Sequence, residues 1–223
     1  MSGGLARAGV FGMSDGLTSN VLLVIGFAGS GVAAAVVRLA GIAGAVAGAV
    51  SMGAGEWISV SAQNELVGRE VEVERRELKH NFVAEEHELA VMYQKHGMQP
   101  TTARQAAADV MRNPESALAV HTREELGIDP TELPSAWQAA SLSFVCFVIG
   151  AFLPVIPWLA GHGNVATITS IAIGVVAAAL LGWSIGQLAE RNRVRSSLRQ
   201  VLILLGACVV TYSIGKALHV SVT

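Results

Sequence analysis

Charge is segregated along this chain. Fourteen of its 17 Asp and Glu residues fall within residues 63–134, and only Asp15, Glu56 and Glu190 lie outside. The same stretch holds eight Lys or Arg, for a net of about −6, while the remainder carries seven bases against three acids, about +4. On either side the chain is apolar over long runs, and a helix needs roughly 20 such residues to cross the hydrocarbon of a bilayer. An ordinary soluble domain is excluded. Only 14% of residues are charged, against roughly a quarter in soluble globular proteins.

The expected fold is an all-α integral membrane protein with five transmembrane helices and a helical insert between spans two and three. The spans are expected at residues 8–36, 39–62, 137–159, 165–189 and 198–218, with a short turn around Arg38 and with Pro154 and Pro157 near the end of the third. Three parts follow: 1–62 with two spans, the Glu-rich insert 63–134, and 135–223 with three spans. Good helix formers continue past Ala62, so the second span is expected to run on as a stalk. Within the insert, helices are expected at 84–96, 102–112 and 115–126, punctuated by Gly97, Pro100, Asn113-Pro114 and Gly127.

Arg191, Arg193, Arg195 and Arg199 form the most basic segment. The positive-inside rule makes their loop cytoplasmic, and counting back places the insert and the N-terminus there too. The same arginines suit anionic lipid. The first apolar run carries Asp15 and does not resemble a cleaved signal peptide; a bacterial plasma membrane is the expected location. Cys146 and Cys208, both inside apolar runs and far apart, read as small packing residues.

Carboxylates inside spans carry the strongest functional signal. Asp15, Thr18 and Ser19 stand at i, i+3 and i+4 on one helical face, and an ionisable residue within a span marks an interior site or a water path. In the second span Gly44, Gly48, Met52 and Glu56 follow at steps of four, beside a row of Gly41, Ala45, Ala49 and Gly53. The small residues read as close helix packing. Met52 and Glu56 extend that face with a thioether and a carboxylate, and a carboxylate in lipid needs a cation, a proton or a base.

In the insert, Glu74 and Glu77 are one turn apart, as are Glu85 and Glu88. Folded against each other, those helices would converge four carboxylates, as helical bundles do around divalent metals. Glu125 could close the site, and His80, His87 and His121 are available. Oxygen with some imidazole suits Fe²⁺, Mn²⁺ or Mg²⁺. The competing reading is a solvated face, with Arg75, Arg76 and Lys79 pairing along the helix.

Asp15-Gly-Leu-Thr-Ser-Asn, Ser51-Met-Gly-Ala-Gly-Glu-Trp-Ile-Ser-Val, Glu74-Arg-Arg-Glu-Leu and Arg123-Glu-Glu-Leu-Gly together resemble the vacuolar iron transporter family, as does the five-span layout. The resemblance implies a homodimeric, proton-coupled exporter of Fe²⁺ and related divalent metals. It implies a path lined by Asp15 and Met52, with Glu56 in the same span, and cytosolic metal ligands Glu74, Glu77, Glu85, Glu88 and Glu125. The chain departs from the family in carrying His121 and Thr122 where a Met-Glu pair is frequent, and in having no acid within residues 2–13. His121 is kept as a candidate ligand.

The expected function is therefore export of Fe²⁺, and of Mn²⁺ or other divalent metals, from the cytoplasm in exchange for protons. Metal is substrate and bound ion, with no prosthetic group; the partners are protons, the bilayer and a second copy of the chain, and no nucleic acid. The alternative is a membrane metal sensor or scaffold whose acidic insert binds cations and moves nothing. No HExxH or GxSxG motif points to an enzyme.

Overall fold

In the computed structural model, which describes residues 2–127, 129 and 133–218, every regular element is an α-helix. They are α1 Ser2–Gly29, α2 Ala34–His80, α3 Phe82–Lys95, α4 Pro100–Met111, α5 Pro114–Leu126, α6 Ala136–Phe152, α7 Ile156–Ala160, α8 Gly163–Leu188 and α9 Arg193–Ala217. Local chemistry sets their ends. The α1–α2 turn contains Gly31 at φ +78°, a left-handed conformation that favours glycine. Pro114 opens α5 where a missing N–H costs nothing, and Asn113 Oδ1 accepts from the Glu115 and Ser116 amides at 3.0 and 3.2 Å. Gly127, at φ +65°, ends that helix. Asn192 caps α9 by accepting from the Arg195 amide.

Two expectations are corrected. The first turn lies at residues 30–33, so Arg38 is inside α2, where its guanidinium donates to the Trp158 carbonyl at 3.3 Å. The 137–159 run is two helices, α6 and the short α7, because Pro154 and Pro157 cannot supply amide donors to a continuous helix. Four helices, α1, α2, α8 and α9, are long and apolar enough to cross a membrane, and α6 is a shorter apolar helix of 17 residues. The stalk expectation agrees with α2, whose 47 residues are unbroken. That length is about 70 Å, more than twice a hydrocarbon core.

The chain divides into two compact units, Met1–Ile58 with Ala136–Thr223, and Ser59–Ser135. In the first, α1 is the central helix: Leu17, Val21 and Ile25 pack with Ala178 of α8 and with Leu204 and Cys208 of α9. On its other side α1 meets α6 almost backbone to backbone. A methyl group added at Gly12 or Gly16 would run into the Ser143 or Phe147 carbonyl, and one at Gly150 into that of Met13. The α2 residues Val37, Gly41, Ala45, Ala49 and Gly53 are buried at steps of four, with Ala45 and Ala49 against Phe147 and Ala151. Many large side chains on the outer faces, Leu180, Leu202 and Val209 among them, are exposed, as suits lipid. In the second unit Leu89, Ala90 and Ala107 form a small core with Tyr93, Val110 and Val120. Asn64 Nδ2 donates to the Pro134 carbonyl at 2.9 Å, joining the two ends of that unit.

Candidate metal centre and membrane cavity

The last turns of α2, the first turns of α3 and the end of α5 bring Glu74, Glu85 and His121 together, with one ligand atom from each within 4.8 Å of the others. His121 Nδ1 stands 3.1 Å from Glu74 Oε1 and 3.7 Å from Glu85 Oε2. Both His121 and Glu74 are buried, at 0% and 8% exposure. Among the described residues, neither ring nitrogen of His121 nor Oε1 of Glu74 has a hydrogen-bond partner. Buried polar atoms are seldom left this way, and three of them face one another.

The electrostatics fit a cation. Burial, followed by the charge of Glu125, a proton shared with it, and the charges of Glu85 and Glu88, pushes the Glu74 carboxyl up from 4.5 to about 7. Glu85 is raised for like reasons: burial first, then Glu88, Glu125 and Glu77. His121 is lowered from 6.5 by burial, with Glu125 and Glu88 opposing. A neutral imidazole is the form that ligates metal, and a divalent ion would relieve the carboxylate repulsion as it displaced a proton.

Of the other candidates in this unit, Glu88 and Glu125 are exposed but close enough to act on the cluster, and Glu77 acts on Glu85. The Glu77 carboxylate accepts from the Asn81 amide. His80 pairs with the Arg76 carbonyl at 2.7 Å and His87 is exposed, so of the three histidines only His121 joins the cluster. The Thr122 hydroxyl donates to the Leu118 carbonyl of its own helix at 2.8 Å. The solvated-face reading describes Glu72, paired with Arg75 at 2.6 Å, rather than Glu74.

These shifts have a consequence for stability without metal. A carboxyl raised in the folded state stabilises the fold fully below its unfolded value near 4.5, and that contribution is lost as pH rises through about 7. His121, lowered from 6.5, contributes with the opposite sign, and only below that value. Above about pH 6.5 the imidazole no longer offsets the carboxyls, and the fall in stability at Glu74 is unopposed. Hydrogen exchange in α3 and α5, in chelator and corrected for intrinsic rates, should show weaker protection at about pH 7.5 than at about pH 5.5. Added Mn²⁺ should restore it.

The first unit holds a separate feature. Asp15, Thr18, Ser19, Asn20, Ser51, Met52, Gly55 and Glu56 line one open cavity of about 810 Å³, whose wall also includes Leu22, Leu23, Gly44, Gly48 and Phe147. The predicted path residues Asp15, Met52 and Glu56 therefore share a cavity. Among the described residues neither carboxylate forms an ion pair. Ser19 Oγ donates to the Asp15 carbonyl. The glycine row has a local purpose: a Cβ at Gly48 would strike the Phe147 ring, and one at Gly44 would meet Leu23 and Asn20. Asn20 falls outside the Asp15–Thr18–Ser19 face. Its available signal was an amide deep inside an apolar run.

Compared with known families, the chain matches the VIT family over residues 6–216. It is 28% identical to vacuolar iron transporter 1 of Tulipa gesneriana over 216 residues, covering 96% of this chain and 87% of that protein. It is likewise 28% identical to vacuolar iron transporter 1 of Arabidopsis thaliana, over 98% of this chain and 88% of that one. The vacuolar iron transporter of Acanthamoeba castellanii is 32% identical over 99% of this chain and 76% of its own.

Proposed function

The chain belongs to the VIT family, and from that membership we propose that it is an integral membrane transporter of divalent metal, Fe²⁺ foremost and Mn²⁺ with it, driven by proton exchange. Metal is collected from the cytoplasm at Glu74, Glu85 and His121, with Glu77, Glu88 and Glu125 supplying charge and further oxygens. It crosses by way of Asp15, Met52 and Glu56 and leaves on the far side. In this reading α6 with α7 makes the fifth crossing, and the basic Arg191–Arg199 segment keeps residues 59–135 and the N-terminus cytoplasmic. In this reading two copies of the chain assemble, as the family resemblance implies.

The observation that carries the proposal is the cavity shared by Asp15, Met52 and Glu56 among membrane helices. Carboxylates in such a place are costly unless an ion or a proton uses them. A sensor needs the glutamate–histidine cluster and has no use for this cavity. A donor set of carboxylates and one imidazole, without thiolate, suits Fe²⁺ and Mn²⁺. Carboxylates also explain exchange, because metal and proton compete for the same oxygens.

Proton coupling is tested with a pH dye trapped in proteoliposomes. Mn²⁺ entry should release protons from the lumen, and an opposing proton gradient should slow the metal. Metal entry indifferent to the gradient, with no dye response, would reduce the protein to a metal uniporter.

A further inference from the structure

We propose that Asn20 is a metal-contacting residue of the membrane cavity, presenting its amide oxygen as a neutral, hard donor to the divalent ion that passes Asp15 and Met52. The inference rests on the transport reading and adds a ligand of a third chemical kind to it.

Asn20 lies in the middle of α1 and is 2% exposed. Its Nδ2 donates to two backbone carbonyls, Gly41 of α2 at 3.0 Å and Ala151 of α6 at 2.6 Å. Both partners can only accept, so the amide has one orientation: turned over, its oxygen would face two oxygens. The nitrogen half is thereby fully used in tying three helices together. The oxygen half is not. Oδ1 is buried and, among the described residues, has no hydrogen-bond partner, a state in which buried polar atoms are seldom left.

The surroundings point to what the oxygen is for. Among the described residues, two other buried side-chain atoms of this unit lack partners, Ser143 Oγ and Trp158 Nε1, yet neither residue lines the cavity of Asp15, Met52 and Glu56; Asn20 does. Gly44 lies across from it. A Cβ at that position would come within 2.9 Å of Oδ1 and closer still to a Leu23 methyl, so only a glycine leaves the oxygen and the Leu23 side chain uncrowded. The Leu23 side chain packs at the same position, and a change of rotamer at its flexible end is the movement proposed to open Oδ1 to an ion.

An amide oxygen differs from both other donors in the cavity. It is hard, like a carboxylate, but it does not take up a proton in the physiological range, so it holds metal without competing in the exchange step. It also opposes the preference of the Met52 thioether for soft ions. Asn20 is therefore a specificity-determining contact that favours Mn²⁺ and Fe²⁺ over Cd²⁺.

The test is the concentration dependence of Mn²⁺ and of Cd²⁺ flux in proteoliposomes for the wild type, Asn20→Leu and Gly44→Ala. Asn20→Leu removes the oxygen; Gly44→Ala crowds it while leaving both amide donors in place, and carries the test if Asn20→Leu fails to fold. The expected result is a half-saturating Mn²⁺ concentration raised about 10-fold with that for Cd²⁺ moved by less than about 2-fold, the size of loss usual for a perturbed metal site. Equal shifts for the two metals, or a lower maximal rate alone, would make Asn20 a packing residue and overturn the proposal. A wild-type protein that moves neither metal would overturn the transport reading itself, and this inference with it.

Discussion

Asp15→Ala is expected to reduce metal flux to that of protein-free liposomes while leaving the protein folded. Asp15 is exposed to the cavity and makes no ion pair among the described residues. Its loss breaks no observed side-chain contact, because the hydrogen bond from Ser19 goes to its backbone carbonyl. The tight α1–α6 contact depends on Gly12, Gly16 and Gly150 instead. Function and stability are thus separable at this position. Flux assayed beside a thermal melt in detergent checks both halves, and a variant that transports at the wild-type rate would remove Asp15 from the path.

The second large effect is expected at Glu74, and there the two readouts should move in opposite directions. Glu74→Gln removes a metal oxygen and also removes a buried carboxylate crowded by Glu125, Glu85 and Glu88. Without metal at about pH 8 the variant should resist unfolding as well as the wild type or better, since the lost charge was unfavourable there. Mn²⁺ affinity should fall by about 10-fold or more, roughly 1.4 kcal/mol or more, and the stabilisation that Mn²⁺ confers on the wild type should shrink accordingly. Titration calorimetry with melts in chelator and in Mn²⁺ provides the check. A variant that is destabilised without metal and still binds it would make Glu74 a structural residue.

Much of this arrangement is legible in the sequence because the signals are local. Apolar run lengths, Asn113-Pro114, Gly127 and the helix formers after Ala62 each act within a few residues, and α2, α5, α8 and α9 follow from them. The first turn is less legible. The sequence places it around Arg38, whereas a distant partner, the Trp158 carbonyl 120 positions away, accepts from Arg38 within α2. Pro154 and Pro157 were visible, but whether they bend a helix or divide it depends on what α7 packs against, and Trp158 is buried with Val24, Val37, Val155 and Ala166.

The site divides along the same line. One-turn spacing put Glu74 with Glu77 and Glu85 with Glu88, yet the closest set takes one member of each pair and adds His121 from a third helix. Spacing shows which residues share a helix face, while the choice among faces is made by packing of α3 and α4 around Leu89 and Ala107. Asn20 is visible in the sequence only as an amide inside an apolar run, because what sets it apart is two carbonyls from distant segments that fix its amide and leave the oxygen over.

The measurement that bears most directly on the central claim is Fe²⁺ entry into sealed proteoliposomes containing the wild-type chain, followed by a trapped metal-responsive dye under anaerobic conditions. The account predicts entry that saturates with Fe²⁺ and is absent from protein-free liposomes. Fe²⁺ binding to the reconstituted protein with no entry would contradict it, leaving a membrane metal sensor built on Glu74, Glu85 and His121.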